Sequence, residues 1–488
     1  MESTSDTDLV LPVPPNSLCG IPVEILQDIL KDVERKDLAT LAKVNHHLNS
    51  SAIPLLYEAF HPPEDDPYLF LRTILAAPEL CAYVKRVAVH EEAFAVYSYD
   101  QKRAIGLQDR HLITSQLTQA NLLPGVPVST VYWNQQRGSV DKMILPTVLA
   151  LLPEVTSLEL IYEKEPSMCE GTVLWQSAAF SSYLRHRDVH AFTHLKSVQI
   201  HIHHAAQSVV VRLLAIPTLR ALEFHGLVDF SEAAQATKTL SSNVEELKLK
   251  KSFADTSVLT ALITACQHLK LFLYEHSPTC CCGDRQRMLH ASNELDFTAL
   301  SAALAHHKDS LTSVAVIDEE FPTDVRELRR KGRLDNLVDF PYLQNVLIPI
   351  WSVITHENSS STPDGFTFPK VFPPKVKHLS LQITSPHHRE YTRMVPIIYH
   401  PFLVAQLLRE YLDLKSVAYG MMEYAMQQPP RFWSAQESSF MGAGLNFKRY
   451  NFEDVSECAC NVYHPWIFQE FIHDWEVRGV HEEDHNRV

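Results

Sequence analysis

The sequence predicts an α/β protein in which a small three-helix module at the N-terminus precedes a long array of strand–helix repeats. Apolar residues recur at helical spacing near the N-terminus. Further along, an apolar-x-x-apolar-x-apolar pattern returns ten times between positions 84 and 419. Several of its intervals are 24 or 25 residues long, and repeats of about 20–29 residues are typical of arrays that alternate strand and helix.

Composition favours a folded chain that does not bind nucleic acid. The 488 residues are 45% hydrophobic and 21% charged, with 13 Gly, so they can bury a core. The formal net charge of −15 argues against a partner that is a nucleic acid or an anionic membrane, because such partners recruit clustered Lys and Arg. The densest basic stretch, Arg326–Arg333, is expected to be a solvated helix face.

The first fifteen residues and the number of cysteines indicate in which cellular compartment the protein is expected. The N-terminus carries acidic residues where a signal peptide needs basic ones, and the sequence has no apolar run of about 18 residues. Nine cysteines, an odd number spread thinly, do not describe a disulfide framework. We therefore expect reduced thiols, no membrane partner, and an intracellular protein of the cytoplasm or nucleus.

Residues 18–61 contain three candidate helices. The first begins at Pro22, a residue suited to a first helical turn, and its apolar residues are Ile25, Leu26, Ile29, Leu30 and Val33. Asp37 is expected to cap a second helix with the stripe Leu38, Leu41, Val44 (or Asn45) and Leu48. Ser50 or Ser51 is expected to cap a third, which carries Ile53, Leu56, Tyr57 and Phe60.

The order of residues in this module follows a known pattern. The matching positions are Ile21, Pro22, Glu24, Ile25, Leu26, Ile29, Leu30, Asp37, Leu38, Val44, Leu55, Leu56 and Tyr57. With them the segment resembles an F-box, the docking module of ubiquitin-ligase adaptors. It departs from the family at Asn45, where Cys is usual, and at Leu48, where many members have an aromatic residue. The likeness covers about 40 of 488 residues.

This resemblance implies that the helices bind a Skp-type adaptor and, through it, a cullin. The residues implied to make the contact are Ile21, Pro22, Glu24, Ile25, Leu26, Ile29, Leu30, Leu41 and Val44.

The repeat pattern supplies ten candidate strands, of which the last two apolar positions alternate as in a strand with one buried face. The triplets are Val84, Val87, Val89; Val155, Leu158, Leu160; Leu195, Val198, Ile200; Leu219, Leu222, Phe224; Val244, Leu247, Leu249; Leu269, Phe272, Tyr274; Leu311, Val314, Val316; Leu343, Val346, Ile348; Val376, Leu379, Leu381; and Leu414, Val417, Tyr419. Helical stretches at 205–215 and 255–267 lie between strands, which implies a parallel sheet.

The array resembles an irregular leucine-rich-repeat solenoid. We expect Leu222, Leu247 and Phe272 to share one core on adjacent strands, and Lys248 and Lys250 to face outward. Where that family places Asn or Cys to bridge successive turns, this chain has Glu163, His203, Leu227, Ser252 and Ser277. A regular asparagine ladder is therefore absent, so another device must hold the strands in register.

The expected divisions of the chain follow from these patterns. They are a disordered lead at 1–17, the F-box-like module at 18–61, a linker and connecting helix at 62–79, the array at 80–425, a capping segment at 426–478 and a disordered tail at 479–488. The capping segment places Trp466, Ile467, Phe471 and Trp475 at helical spacing. These aromatic residues either cover the last repeat or anchor a partner.

Enzyme-like strings are present but incomplete. The sequence at 481–485, His-Glu-Glu-Asp-His, fits the zinc-protease pattern but lies in the tail without an apolar face. Cys280–Cys282 are contiguous, and Cys458, Cys460 and His464 lack a fourth ligand nearby. The Gly-Ala-Gly at 442–444 lacks a strand-to-helix context. We therefore predict no catalytic residue, no metal site and no cofactor.

Two functions are consistent with these sequence patterns. The first is a substrate-recognition adaptor of a cullin-type (SCF) ubiquitin ligase, which would capture a target protein on the array. The second is a repeat scaffold for protein–protein interaction without a role in ubiquitin transfer, in which the N-terminal helices only cap the array. Exposure of the stripe at Ile25, Leu26 and Ile29 would favour the first, and packing of that stripe onto the repeats would favour the second.

Overall fold

A computed structural model describes residues 20–61, 66–90, 148–149, 151–161, 192–201, 210, 213–227, 240–277, 295–318, 331–353, 372–373, 375–383, 411, 413–422, 438, 440–442 and 445–452. Several predicted features lie outside these residues: the lead, the tail with its His-Glu-Glu-Asp-His string, both cysteine groups, the aromatic segment at 466–475, Glu163, His203, and most of 205–215 and 326–333. The described part is α/β with parallel strand pairs, which confirms the predicted class.

The chain forms two compact units, Met1–Glu159 with His186–Leu195 and Leu160–Arg185 with Lys196–Val488. In the first unit, α1 (Val23–Leu30), α2 (Arg35–Leu41) and α3 (His46–Leu56) surround a small apolar core. That core consists of Leu26, Leu30, Leu38, Leu48 and Ala52, with Ile21, Val33, Leu41, Ala42, Leu55 and Leu56 partly buried against it. The three-helix prediction is confirmed, and the module has a core of its own.

The boundary between the second and third helices differs from the prediction. Asn45 is the N-cap of α3, and its side-chain oxygen accepts a hydrogen bond from Leu48 N at 2.9 Å. Ser50 and Ser51 lie inside the helix, where both hydroxyls donate to His47 O. Asn is as good a cap as Ser, and it occurs one turn earlier in the chain. Leu48 therefore belongs to the buried face of α3 rather than to α2.

The rest of the first unit contains β1 (Ala59–Phe60), α4 (Pro67–Ala76), a 3₁₀ helix at Pro78–Tyr83 and β2 (Arg86–His90). β1 pairs in parallel with β2, although the sequence placed Phe60 in the third helix. The Phe60 ring stacks on Phe70 of α4 with centroids 4.2 Å apart. Arg35 donates to the carbonyls of Leu56 and Ala59, so α2 fixes the turn in which α3 gives way to the strand.

Among its described residues, the second unit has nine strands paired in parallel, each beside the next one in the sequence. They are β4 (Ser197–His201), β5 (Ala221–His225), β6 (Glu246–Ser252), β7 (Leu271–His276), β8 (Ser313–Asp318), β9 (Asn345–Pro349), β10 (His378–Ile383), β11 (Ser416–Met422) and β12 (Asn446–Phe452). β3 (Ser157–Ile161) falls at the division between the units. Each of the ten predicted strands is present, and β1 and β12 are additional.

The middle residues of the predicted triplets lie opposite one another along the second unit. Leu222 pairs with Leu247 and Leu247 with Phe272, and all three side chains are at most 1% exposed. The same row continues through Val314, Val346, Leu379 and Val417. One continuous apolar row therefore runs along the sheet, as the sequence predicts.

In the part of this unit that the structure describes, two α-helices lie between strands. α5 (Thr256–Ala265) follows β6, and Asp255 caps it by accepting from Ser257 N at 2.6 Å. α6 (Phe297–Leu304) precedes β8, and Asp296 caps it through Thr298 N and Ala299 N. Short polar caps ahead of apolar runs explain why these stretches start helices where they do. The helical prediction at 255–267 is confirmed.

Register is held by the main chain rather than by an asparagine ladder. At the start of each strand from β5 to β11, two consecutive N–H groups donate to one carbonyl of the preceding repeat. Lys270 N and Leu271 N both donate to Glu245 O, and Thr312 N and Ser313 N both donate to Lys270 O. A fixed pair of bonds at every step sets the offset of each strand without any side chain.

Polar side chains reinforce this pattern at two places. At the position that the leucine-rich-repeat family gives to Asn, Ser252 Oγ accepts from Leu227 N at 3.2 Å, and Ser277 N donates to Ser252 O at 3.0 Å. At the opposite ends of later strands, Asn345 Nδ2 donates to Ser313 Oγ at 3.0 Å. Each of these bonds joins buried groups of neighbouring repeats.

A buried histidine joins α5 to the segment after α6. Of the pair at 306–307, His306 is exposed but His307 is only 3% exposed. His307 Nε2 lies 2.9 Å from Ile263 O, and Leu269 N donates to Nδ1 at 3.4 Å. These partners require a neutral ring with the proton on Nε2, and burial lowers the pKa of His307.

Gly332 has a conformation that other residues rarely adopt. Its φ is +71°, and a Cβ there would collide with the Oγ1 of Thr298 in the first turn of α6. Gly332→Ala is expected to lower the free energy of unfolding by about 1–3 kcal/mol through backbone strain. Thermal unfolding measures this effect. Gly442→Ala is the control, because a Cβ at Gly442 meets nothing within 4 Å; equal melting temperatures for the two variants would contradict the argument.

Candidate functional site

The N-terminal helices carry a group of exposed apolar side chains. Among the described residues, nine large hydrophobic side chains are exposed, and four of them lie between positions 23 and 44. We call these four the docking strip: Val23, Ile25, Ile29 and Val44, exposed by 38%, 53%, 51% and 61%. Ile25 and Ile29 are one turn apart and therefore share a face of α1. Clustered exposed apolar groups mark an interaction surface more often than single ones do.

The structure divides the nine predicted docking residues into three groups. Pro22, Glu24, Ile25, Ile29 and Val44 are exposed. Ile21 and Leu41 are half-buried against the module core. Leu26 and Leu30 are only 1% and 4% exposed, so in this conformation they support α1 from inside and do not offer their side chains to a partner. The reason is helical geometry: positions 26 and 30 are turned about 100° around the axis of α1 from positions 25 and 29, toward the module core.

The second unit offers a different surface, on its sheet. Along β4 and β5, buried residues alternate with half-buried ones, whereas β7, β8 and β9 are buried at every position. Among β4 to β9, the sheet face opposite to the apolar row is therefore accessible mainly at β4, β5 and β6. The half-buried side chains there include Gln199, His201, Glu223, His225, Lys248 and Lys250.

His201, Glu223 and His225 form one cluster on this face, which we call the His–Glu–His cluster. His201 pairs with His225 across β4 and β5, and their rings stack with centroids 3.5 Å apart. Glu223 Oε1 lies 2.7 Å from His225 Nε2. One potential ligand atom from each residue lies within 4.8 Å of the others, the single such group of three among the described residues.

Glu223 also forms ion pairs with two lysines of β6. Its Oε1 lies 3.1 Å from Lys250 Nζ, and its Oε2 lies 3.9 Å from Lys248 Nζ. The expectation that these lysines face freely outward was incomplete: they are on the predicted face, but their side chains are only 18% and 17% exposed. Glu223, which the sequence analysis did not single out, draws them onto the sheet.

The protonation states of the cluster follow from burial and charge. Burial alone would raise the pKa of Glu223, but the hydrogen bond with His225 and the charges of Lys250 and Lys248 outweigh it and lower the pKa to about 2. Burial, together with the neighbouring His225, lowers the pKa of His201 to about 3. Burial likewise lowers the pKa of His225, against the opposing effect of Glu223. At neutral pH the cluster therefore holds one carboxylate and two neutral imidazoles.

Sequence reasoning missed this cluster, although a signal was present. Two successive strands end in the same way, Gln-Ile-His at 199–201 and Glu-Phe-His at 223–225, 24 residues apart. An interval of 24 residues is one repeat of this array, so equivalent positions fall side by side on adjacent strands. A comparison of aligned repeats, rather than a search for local ligand spacing, would have identified both histidines.

The remaining findings concern membrane-spanning helices, the metal-binding strings of the sequence and similarity to known proteins. No helix within the described residues is both long and apolar enough to cross a bilayer. Of the strings considered for metal binding, the ones at 280–282, 458–464 and 481–485 lie outside the described residues. In comparisons with known proteins, no family model matches the chain, and no curated protein matches it in sequence.

Proposed function

We propose that the chain is a substrate-recognition adaptor of an SCF-type ubiquitin ligase. In this proposal the three N-terminal helices are an F-box-like module that binds a Skp-type adaptor and, through it, a cullin. The repeat array of the second unit is a leucine-rich-repeat-like solenoid that captures a target protein. The proposal includes an intracellular location, in the cytoplasm or nucleus, and no catalytic residue of its own.

The single observation that carries the proposal is the docking strip. Ile25 and Ile29 expose about half of their surface, although α1 has an inner face already filled by Leu26 and Leu30. An amphipathic helix needs only one apolar face to fold. Ile25 and Ile29 extend that face beyond the part that the module core fills, and an exposed apolar side of a helix is what helix docking onto a partner requires. The capped-scaffold alternative requires those side chains to be covered by repeats.

The sheet face at β4 to β6 is the corresponding candidate surface for the target. It is polar and partly open, whereas the same face is buried along β7 to β9. Polar groups on a rigid sheet fix the orientation of a bound protein better than mobile loops do. The adaptor then acts by proximity, because it raises the effective concentration of the target beside the conjugating enzyme.

Binding of a purified Skp-type adaptor by the full chain tests the proposal. We expect wild-type protein to bind and the double variant Ile25→Asp/Ile29→Asp to lose binding by about 100-fold or more, because two carboxylates would be buried at the interface. Both positions are exposed in the free protein, so circular dichroism and melting temperature should stay unchanged.

A matched control is available on α4. Leu69→Asp introduces the same charge at another exposed apolar position, 37% exposed, and should leave adaptor binding intact. Leu26→Asp is unsuitable, because it would place the charge in the module core. Soluble Ile25→Asp/Ile29→Asp protein that still co-purifies with the adaptor contradicts the proposed docking. Wild-type protein that recovers neither adaptor nor cullin from cells favours the scaffold alternative.

A further inference from the structure

Three donor side chains of the second unit meet on one face of two adjacent strands. His201 ends β4, and Glu223 and His225 occupy the same face of β5. The pairing of His201 with His225 is fixed by the parallel register, which is itself set by main-chain bonds from Arg220 N and Ala221 N to Lys196 O. The donors therefore stand on rigid elements rather than on loops, which is what a preorganised site needs.

We propose that His201, Glu223 and His225 bind a divalent transition-metal ion of the zinc type. Two imidazoles and one carboxylate are a set of protein ligands that zinc takes in proteins, with a fourth position left for water or another donor. Magnesium and calcium prefer oxygen donors alone, so the cluster should discriminate against both. This site is independent of the proposed ligase role.

Rotation of the side chains alone would bring the three ligand atoms of the His–Glu–His cluster around one ion. Ligands of a tetrahedral zinc ion lie about 3.4 Å apart, given metal–ligand distances near 2.1 Å. The three candidate atoms here lie within 4.8 Å of one another, and two of the residues already approach to 2.7 Å through His225 Nε2 and Glu223 Oε1. The stacked rings must separate slightly while the strands stay in place.

Gln199 contacts two of the candidate ligands. Its Nε2 lies 2.7 Å from His201 Nε2 and 3.4 Å from Glu223 Oε1. Because this amide group donates to the lone pair of His201 Nε2, an ion that binds His201 through Nε2 must first displace it.

Lys248 and Lys250 set the affinity of this site. Both ammonium groups contact Glu223, so an ion must displace at least Lys250 from Oε1. The long lysine chain can withdraw to solvent without moving the strand. The competition predicts that removal of Lys250 strengthens metal binding, an effect that a purely structural ion-pair cluster would not produce.

The test uses full-length protein stripped with a chelator and titrated with zinc alone. Equilibrium dialysis should show one bound zinc per chain more in wild type than in His201→Gln/His225→Gln, whatever the other histidines and cysteines bind. Cobalt(II) should give the visible absorption of a four-coordinate site in wild type and lose it in the double variant. Excess magnesium or calcium should not compete.

Three single variants keep the result interpretable. Glu223→Gln should weaken zinc binding at least about 10–100-fold, since even outer-shell changes have effects of that size. Lys250→Gln should strengthen it about tenfold by removing a competing charge. His268→Gln, at an exposed histidine outside the cluster, should change nothing. Equal zinc stoichiometry in wild type and His201→Gln/His225→Gln overturns the proposal, as does a Lys250→Gln variant with unchanged affinity.

Discussion

Replacement of Lys331 by methionine is expected to lower the free energy of unfolding by about 3–5 kcal/mol. Lys331 Nζ lies 2.7 Å from Asp318 Oδ2 at the end of β8, and the two side chains are 6% and 0% exposed. Removal of the ammonium group leaves the buried Asp318 carboxylate without this counter-ion. The loss of that interaction is more destabilising than the loss of an apolar contact. Methionine keeps most of the side-chain volume, so a cavity contributes little.

The surroundings of Asp318 explain why the charge cannot move to water. Gln382 of β10 is fully buried, donates to Asp318 O at 2.9 Å and accepts from Asp318 N at 3.0 Å. These bonds pass over the end of β9, where Pro349 has no N–H to offer. The end of β8 is thus held in place from two sides, and the carboxylate stays buried when the lysine is lost.

Three variants separate the ion pair from simple packing. The double variant Asp318→Asn/Lys331→Met should be less destabilised than Lys331→Met, because it leaves no buried charge. Lys31→Met, which breaks the exposed Lys31–Asp28 pair, should have no measurable effect. Urea unfolding of the second unit, followed by hydrogen exchange in β8 and β10, gives the comparison. A Lys331→Met protein as stable as Lys31→Met would contradict the argument.

The repeat strands could be predicted because their signal is local and repeated. Each triplet contains an alternation that only a strand with one buried face needs, and recurrence at a nearly fixed interval averages out the exceptions. Leu222, Leu247 and Phe272 were placed on one row for this reason, and the structure pairs them. β12 is different: in its register with β11, Phe447 continues the row after Val417, but Arg449 stands where Tyr419 ends the triplet, so the predicted pattern does not mark this strand in its observed register.

Other features could not be predicted. For some, several residues give equally good local signals, and for others the outcome depends on contacts between residues far apart in the sequence. Asn45, Ser50 and Ser51 are all good caps, and nothing in the local sequence ranks them. Periodicity shows that Ile25, Leu26, Ile29 and Leu30 share one broad apolar side of α1, but which part of it is buried depends on the packing against Leu38 and Leu48. The His–Glu–His cluster depends on register between strands, which spacing along one segment does not reveal.

The apolar row of the second unit gives the other large expected effect. Leu247→Ala in β6 should lower the free energy of unfolding by about 2–5 kcal/mol, because the side chain is 1% exposed and sits between Leu222 and Phe272. In a repeat array each strand contacts mainly its neighbours. The loss of stability should therefore be greatest in β5, β6, α5 and β7.

Two buried thiols report where the stability is lost. Burial raises the pKa of Cys266 to about 12 and that of Cys81 to about 11, so each reacts with an alkylating reagent only when its surroundings open. Cys266 ends α5 and bridges to Ser242 beside β6, whereas Cys81 lies in the first unit. Alkylation mapped by mass spectrometry should accelerate at Cys266 by at least about 30-fold in Leu247→Ala, the factor that 2 kcal/mol gives.

The rate at Cys81 distinguishes the two functional hypotheses. Cys81 lies outside the module at 18–61 but in the same unit as the N-terminal helices; if that unit folds independently of the second, alkylation of Cys81 should keep its wild-type rate in Leu247→Ala. Val338→Ala, a similar truncation at a position 39% exposed in the second unit, should accelerate neither thiol. Equal acceleration at Cys266 and Cys81 would mean that both thiols open in one cooperative step. The N-terminal helices would then be part of the array, which favours a capped scaffold over an independent docking module.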